Sequence, residues 1–174
     1  RRVVAMLLLL VVFFLVIFPH MVRVSSASTW SAVLHATGRG ESAYAVVGVP
    51  TVSAAFLDQV LVAYHSPAAG LGSVLYADGV HFGLDPVYSL AFFLHEDGMG
   101  TTGWGALNHS LGNIRCSVGY VCQGGYRCYP TWAAGFWDWF HLIRVLYLNT
   151  WHLATIAQII PVYAPSSDHN DVQG

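Results

Sequence analysis

Glu96 is the residue whose type and setting best suit acid–base chemistry. It is the one Glu after residue 48; Glu41 lies upstream. It closes an apolar segment whose helical spacing places Ser89, Phe92 and Phe93 on its face. A carboxyl beside two Phe rings is partly desolvated, which favours its protonated form. A helix C-terminus disfavours negative charge at the same place. A carboxylic acid kept protonated near neutral pH is what protonation of a glycosidic oxygen requires. The stretch from Asp97 to Gly105 holds four Gly and would let a polymeric substrate approach the backbone.

A glycosidase usually adds a second carboxylate as base or nucleophile. Asp97 is adjacent to Glu96, and i,i+1 side chains diverge on a helix. Asp138 falls in a long helix, where solvation or pairing with His141 is expected. Asp168 and Asp171 remain open, although Asp168 also reads as a helix cap. Without a second acid, a positioned water would serve. Trp104, Tyr120 and Tyr126 are candidates to stack on sugar rings, whereas Trp132 and Trp137 are expected in the core. Asn113 and Arg115 would orient sugar or backbone. The Cys and His spacings suit no zinc site, so no metal or other cofactor is expected.

The elements that must position these residues are mostly helical. Thr51 or Ser53 caps a helix to about His65, with Val52, Phe56, Val60 and Ala63 as its stripe. A second covers Gly72 to Phe82. Asp85-Pro86 opens the helix that carries Glu96, since Asp caps well and Pro suits the first helical position. Gly98 and Gly100 end it. Residues 98–125 read as an irregular loop and a small hairpin, with β-prone pieces at Asn113 to Cys116 and Tyr126 to Tyr129. Thr131 caps a long helix to about Leu148, with Phe136, Phe140, Ile143 and Tyr147 on one stripe. A short helix at Ile156 to Tyr163 follows, and a last one from Asp168 is cut off by the end of the sequence. The expected fold class is α+β, mostly α, with a hairpin insertion, preceded by an N-terminal hydrophobic helix.

Arg1 and Arg2 precede sixteen apolar residues, Val3 to Phe18, and small residues follow at Ser25 to Ala27. Residues 1–24 therefore read as a signal peptide or signal-anchor helix. Residues 25–48, rich in Ser, Ala, Thr and Gly, read as a flexible linker. The domain is expected over 49–174, truncated in its last helix. Export puts it outside the cytoplasm, secreted or membrane-anchored through its N-terminal segment, in an oxidising place. One disulfide is then expected. Cys116 and Cys122 are the preferred pair, with Cys128 as the other possible partner. The chain is 174 residues long with 9% charged residues, seven Arg and no Lys. That composition builds no polyanion-binding stripe and argues against nucleic acid as a partner.

Several segments together resemble the bacterial glucosaminidases, the endo-β-N-acetylglucosaminidase family of the lysozyme-like superfamily. Leu90-Ala91-Phe92-Phe93-Leu94-His95-Glu96, with Gly98, Gly100, Thr101, Thr102 and Gly103, looks like the family's catalytic helix and the turn after it. Ser110-Leu111-Gly112-Asn113-Ile114-Arg115 is similar to its Asn-Leu-Phe-Gly-Ile-Lys-like strand. Tyr126-Arg127-Cys128-Tyr129 with Trp132 resembles the aromatic return strand, and Tyr163-Ala164 with Asp168 the late Tyr-Ala-Thr-Asp segment. The resemblance spans about residues 49–174. It implies a lysozyme-like domain that hydrolyses the β-1,4 bond after N-acetylglucosamine in peptidoglycan. By the same resemblance Glu96 is the general acid, and Tyr163 lines the cleft and assists catalysis. The family's acidic residue in the β-lobe has no counterpart, since no Asp or Glu lies between Gly98 and Trp137. A lytic transglycosylase, which works with one Glu, and a non-catalytic glycan-binding surface domain are the alternatives.

Overall fold

The computed structural model describes residues 44–165. Ser53 starts the first helix, α1 (Ala54–Ala63), its Oγ accepting from the Phe56 N–H at 3.1 Å. The buried face of α1 is Leu57, Val60 and Leu61. Of the expected stripe, only Val60 is buried. The Ser53 cap leaves Val52 outside the helix, and the turn that buries two Leu removes more apolar surface from water. Helix α2 (Gly72–Phe82) packs on α1. Asp58 ties the two, its Oδ1 accepting from the N–H groups of Gly70 (2.6 Å) and Gly72 (3.3 Å).

Helix α3 (Val87–Asp97) begins one residue later than expected, with Pro86 at the cap position and Asp85 just ahead of it. The Asp85 carboxylate accepts from the Val87 N–H at 3.1 Å. It also takes the Thr51 N–H (3.2 Å) and hydroxyl (2.6 Å). Gly98, at φ 61°, ends α3 in the left-handed region, where a Cβ would be strained. The following stretch is not wholly irregular, because it contains α4 (Gly103–Asn108). Strands β1 (Cys122–Gln123) and β2 (Tyr126–Arg127) form an antiparallel hairpin with Cys122 opposite Arg127. Arg115 bridges Tyr126 on the other edge of β2. Cys116 and Cys122 form a disulfide with Cα atoms 5.7 Å apart, leaving Cys128 as the free thiol.

Thr131 caps α5 (Trp132–Leu142), accepting from the Ala134 N–H at 3.2 Å. The helix then widens into a π-helix, Ile143–Thr150, instead of continuing as α. The expected stripe of Phe136, Phe140, Ile143 and Tyr147 is buried. Helix α5 packs on α2, with the Phe82 and Phe140 rings parallel at 6.4 Å. Phe92 meets Trp139 at 5.2 Å, and Phe93 meets Phe136 at 5.6 Å, so α3 shares this core. The fold is mostly α with one small two-stranded antiparallel sheet.

The described residues fall into two units. One, Val46–Ala154, holds α1 to α5 and the hairpin. It begins earlier than the expected linker end at residue 48. Val46 is buried and its carbonyl accepts from the Asp85 N–H (2.9 Å), while the Gly48 N–H donates to the Gly83 carbonyl (3.3 Å). The other unit holds α6 (Ile156–Tyr163) and the antiparallel bridge Ala45–Thr155, so the domain expected over 49–174 divides before Thr155. The signal or anchor at 1–24 and the Asp168 helix lie outside the described residues. Among those described, no helix is long and apolar enough to cross a membrane.

Several glycines are set by close approach, Gly135 among the tightest. A Cβ at Gly135 would overlap the main-chain carbonyl oxygen of His109. Gly135→Ala is expected to lose about 2–3 kcal/mol, read as a lower urea midpoint at unchanged m-value.

Candidate functional site

Glu96 sits in the last turn of α3 with its side chain half-buried. Burial raises its carboxyl from 4.5 to about 7, and a hydrogen bond from Asn113 opposes the rise. Asn113 also donates from Nδ2 to the Glu96 main-chain carbonyl at 3.0 Å. It reaches there from a left-handed position, φ 46°, on the loop that follows α4. The Glu96 environment thus combines a carboxyl protonated up to about neutral pH with one amide anchoring its backbone.

Tyr147 belongs to this neighbourhood, although its aromatic–apolar spacing in the sequence signals only a core stripe. It is 6% exposed, and its phenol is raised to about 12 by burial and by the Glu96 charge. The π-helix sets its angular position, and π-helical segments recur at functional sites. Asn113 and Tyr147 both come from Val46–Ala154, the unit that holds Glu96. Tyr163 ends α6 and belongs to the other unit.

The turn after Glu96 leads to a shallow groove of about 420 Å³. Thr101, Thr102, Gly103, Trp104, Ala106 and Leu107 line it. Trp104 is on α4 rather than in a loop, 42% exposed, with its indole lying against Gly124 of the hairpin turn. Asn108, formally a glycosylation acceptor in Asn108-His109-Ser110, is fully buried. Its amide donates to the Gln123 carbonyl at 3.0 Å, tying α4 to the hairpin.

The remaining candidates are not gathered at Glu96. Tyr120 donates to Asp138 Oδ1 (2.9 Å), and the Arg127 guanidinium covers its ring at 3.7 Å. It therefore serves a buried polar network more than an open cleft. Tyr126 is half-buried in β2, and Arg115 is exposed on the adjoining edge. Asp138 is neither solvated nor paired with His141. It accepts from Arg127 (2.7 Å) and Tyr129 (2.6 Å), because the hairpin folds back over α5. Trp137 is 45% exposed, resting on His81 at 4.7 Å, since the α5 face turned to the core is occupied by Phe136, Trp139 and Phe140.

No family model matches this chain, and no curated protein is significantly similar to it.

Three carboxyls respond to burial in the same direction. Asp78 is raised from 3.8 to about 6, Glu96 from 4.5 to about 7 and Asp97 from 3.8 to about 8. Each is protonated in the fold over a range where the unfolded chain has lost its proton. Their contribution is therefore complete below pH 4 and declines as pH rises to about 8. The melting temperature is expected to fall by at least about 5 °C across that window and to level off above it. Scanning calorimetry at constant ionic strength checks this, and a Tm rising between pH 5 and 8 would contradict it.

Proposed function

We propose that this chain is an exported peptidoglycan hydrolase with a lysozyme-like domain, cleaving the β-1,4 bond after N-acetylglucosamine. The observation that carries the reading is the setting of Glu96. A half-buried carboxyl at a helix end, raised to about 7, holds its proton in the range where a general acid works. Glu96 protonates the glycosidic oxygen as the bond breaks, and the substrate's acetamido group or a water completes the reaction. The single-acid form is supported by Asp97. It is the neighbouring carboxyl, but it is buried and bonded into the turn, accepting from the Gly100 N–H at 2.7 Å. The groove that Trp104 lines with Thr101, Thr102 and Leu107 is the site proposed for sugar. Tyr163 is proposed as an assisting residue on resemblance alone.

Digesting purified peptidoglycan with the protein, and reading products by mass spectrometry, tests the reading. Muropeptides with reducing N-acetylglucosamine ends support it. Anhydro-muramic ends would reassign the chain as a lytic transglycosylase. Binding to peptidoglycan with no product from folded protein would leave a glycan-binding domain.

A further inference from the structure

We propose that Asp97 positions Glu96, by tying the turn after α3 to α4 and so fixing the helix end from which the Glu96 side chain leaves. The inference rests on the role proposed above for Glu96. Asp97 is 2% exposed, which is rare for a carboxylate with no ion-pair partner among the described residues. Oδ1 accepts from the Gly100 N–H at 2.7 Å. The Asp97 main-chain carbonyl accepts from the N–H groups of Thr101 (3.1 Å) and Thr102 (3.0 Å) and from the Thr102 hydroxyl (3.0 Å). One residue thus gathers four donors from the turn.

Oδ2 lies against Gly105 of α4, where a Cβ would overlap the carboxyl. Helix α4 sits this close because position 105 has no side chain. Oδ2 has no hydrogen-bond partner among the described residues, so ionising Asp97 would leave a buried charge with only one oxygen hydrogen-bonded. The charged group acting on it is Glu96. Residues 98–108, the turn and α4, contain no titratable side chain, and the His109 ring is bonded to the Tyr129 carbonyl at 2.9 Å. Burial accordingly holds Asp97 as the neutral acid, with its carboxyl raised to about 8. The Glu96 peptide is then pinned from both sides. Asn113 holds its carbonyl, and the Asp97 turn holds the residue that follows.

The test compares Asp97→Ala with Asp97→Asn in the full chain. Two signals are read: turnover of peptidoglycan, and the titration of the Glu96 carboxyl by carbon NMR. Asp97→Ala loses the Gly100 anchor. It is expected to lower kcat by about 10- to 100-fold with KM nearly unchanged. The Glu96 midpoint should fall from about 7 toward the ordinary Glu range. Asp97→Asn keeps the shape and the acceptor for Gly100, and should restore both signals. An Ala variant with both signals unchanged, or an Asn variant as impaired as Ala, would overturn the proposal. Should Asp97→Ala not fold, Thr102→Val removes one turn bond from an exposed position. It should move the Glu96 midpoint the same way by less, and no movement would equally overturn it. If the wild type cleaves nothing while the Glu96 titration still answers to Asp97, the hydrolase reading fails and the positioning role stands.

Discussion

Under the proposed hydrolase reading, replacing Glu96 with Gln is expected to lower kcat on peptidoglycan by about a thousandfold, because a positioned general acid contributes roughly 10²- to 10⁴-fold. Gln has the same length and can keep contact with Asn113, whose bond to the Glu96 main chain does not depend on the side chain. It has no proton of suitable acidity to give to the leaving oxygen. KM should change little, since the loss concerns a group that acts as the bond breaks. The wild-type rate should also decline as pH rises through about 7, where Glu96 loses its proton. The residual rate of Glu96→Gln should show no such limb. Steady-state turnover of labelled peptidoglycan between pH 4 and 9 reads both effects. A Gln variant with the wild-type rate would remove Glu96 from the chemistry. A lost rate with the alkaline limb retained would assign the limb to another group.

What the sequence made legible was local. Ser53 and Thr131 are short polar residues just ahead of apolar runs, and α1 and α5 start at each, while α3 starts two residues after Asp85. Gly98 stops α3 in the place its spacing predicts. The raised Glu96 carboxyl was also legible, because Phe92 and Phe93 at helical spacing predict burial of that helix. Features held by distant partners were not. Helix α4 has two Gly in six residues and no side-chain cap. It stands because Asp97 meets Gly105 and Asn108 reaches Gln123, contacts that follow from the folded turn and hairpin and not from periodicity. The shift from α5 into a π-helix carries no local signal either, yet it sets the angular position of Tyr147. Trp137 was expected inside because tryptophan usually is. Its neighbours Phe136 and Trp139 fill the buried arc of α5 and leave it outside.

Asp138→Ala is expected to cost about 3–5 kcal/mol, as breaking a buried ion pair from one side does. Asp138 is 8% exposed and takes three donors: Arg127, Tyr129 and Tyr120. Arg127 has little water to fall back on, its side chain being 12% exposed. Its other guanidinium nitrogen donates to Ser117 at 2.9 Å, and its Nε is already buried without a partner among the described residues. Removing the carboxylate therefore takes the acceptor from a cation and two phenols, which costs more than the pair itself contributes. Asp138→Asn should cost less, because an amide oxygen still accepts one of these bonds. Arg127→Met added to Asp138→Ala should recover part of the loss, since it removes the stranded charge. Urea unfolding of the wild type, Asp138→Ala, Arg127→Met and the double variant gives this coupling directly, and additive losses would show that the pair is not the source. Hydrogen exchange should locate the damage in the hairpin. Arg127 lies opposite Cys122 in the ladder, and the turn between them carries the Gly124 on which Trp104 rests. Loss of Asp138 would thus reach the groove through Trp104, lowering glycan affinity while leaving the Glu96 titration in place. That separation distinguishes the hub that supports the groove from the acid at the end of α3.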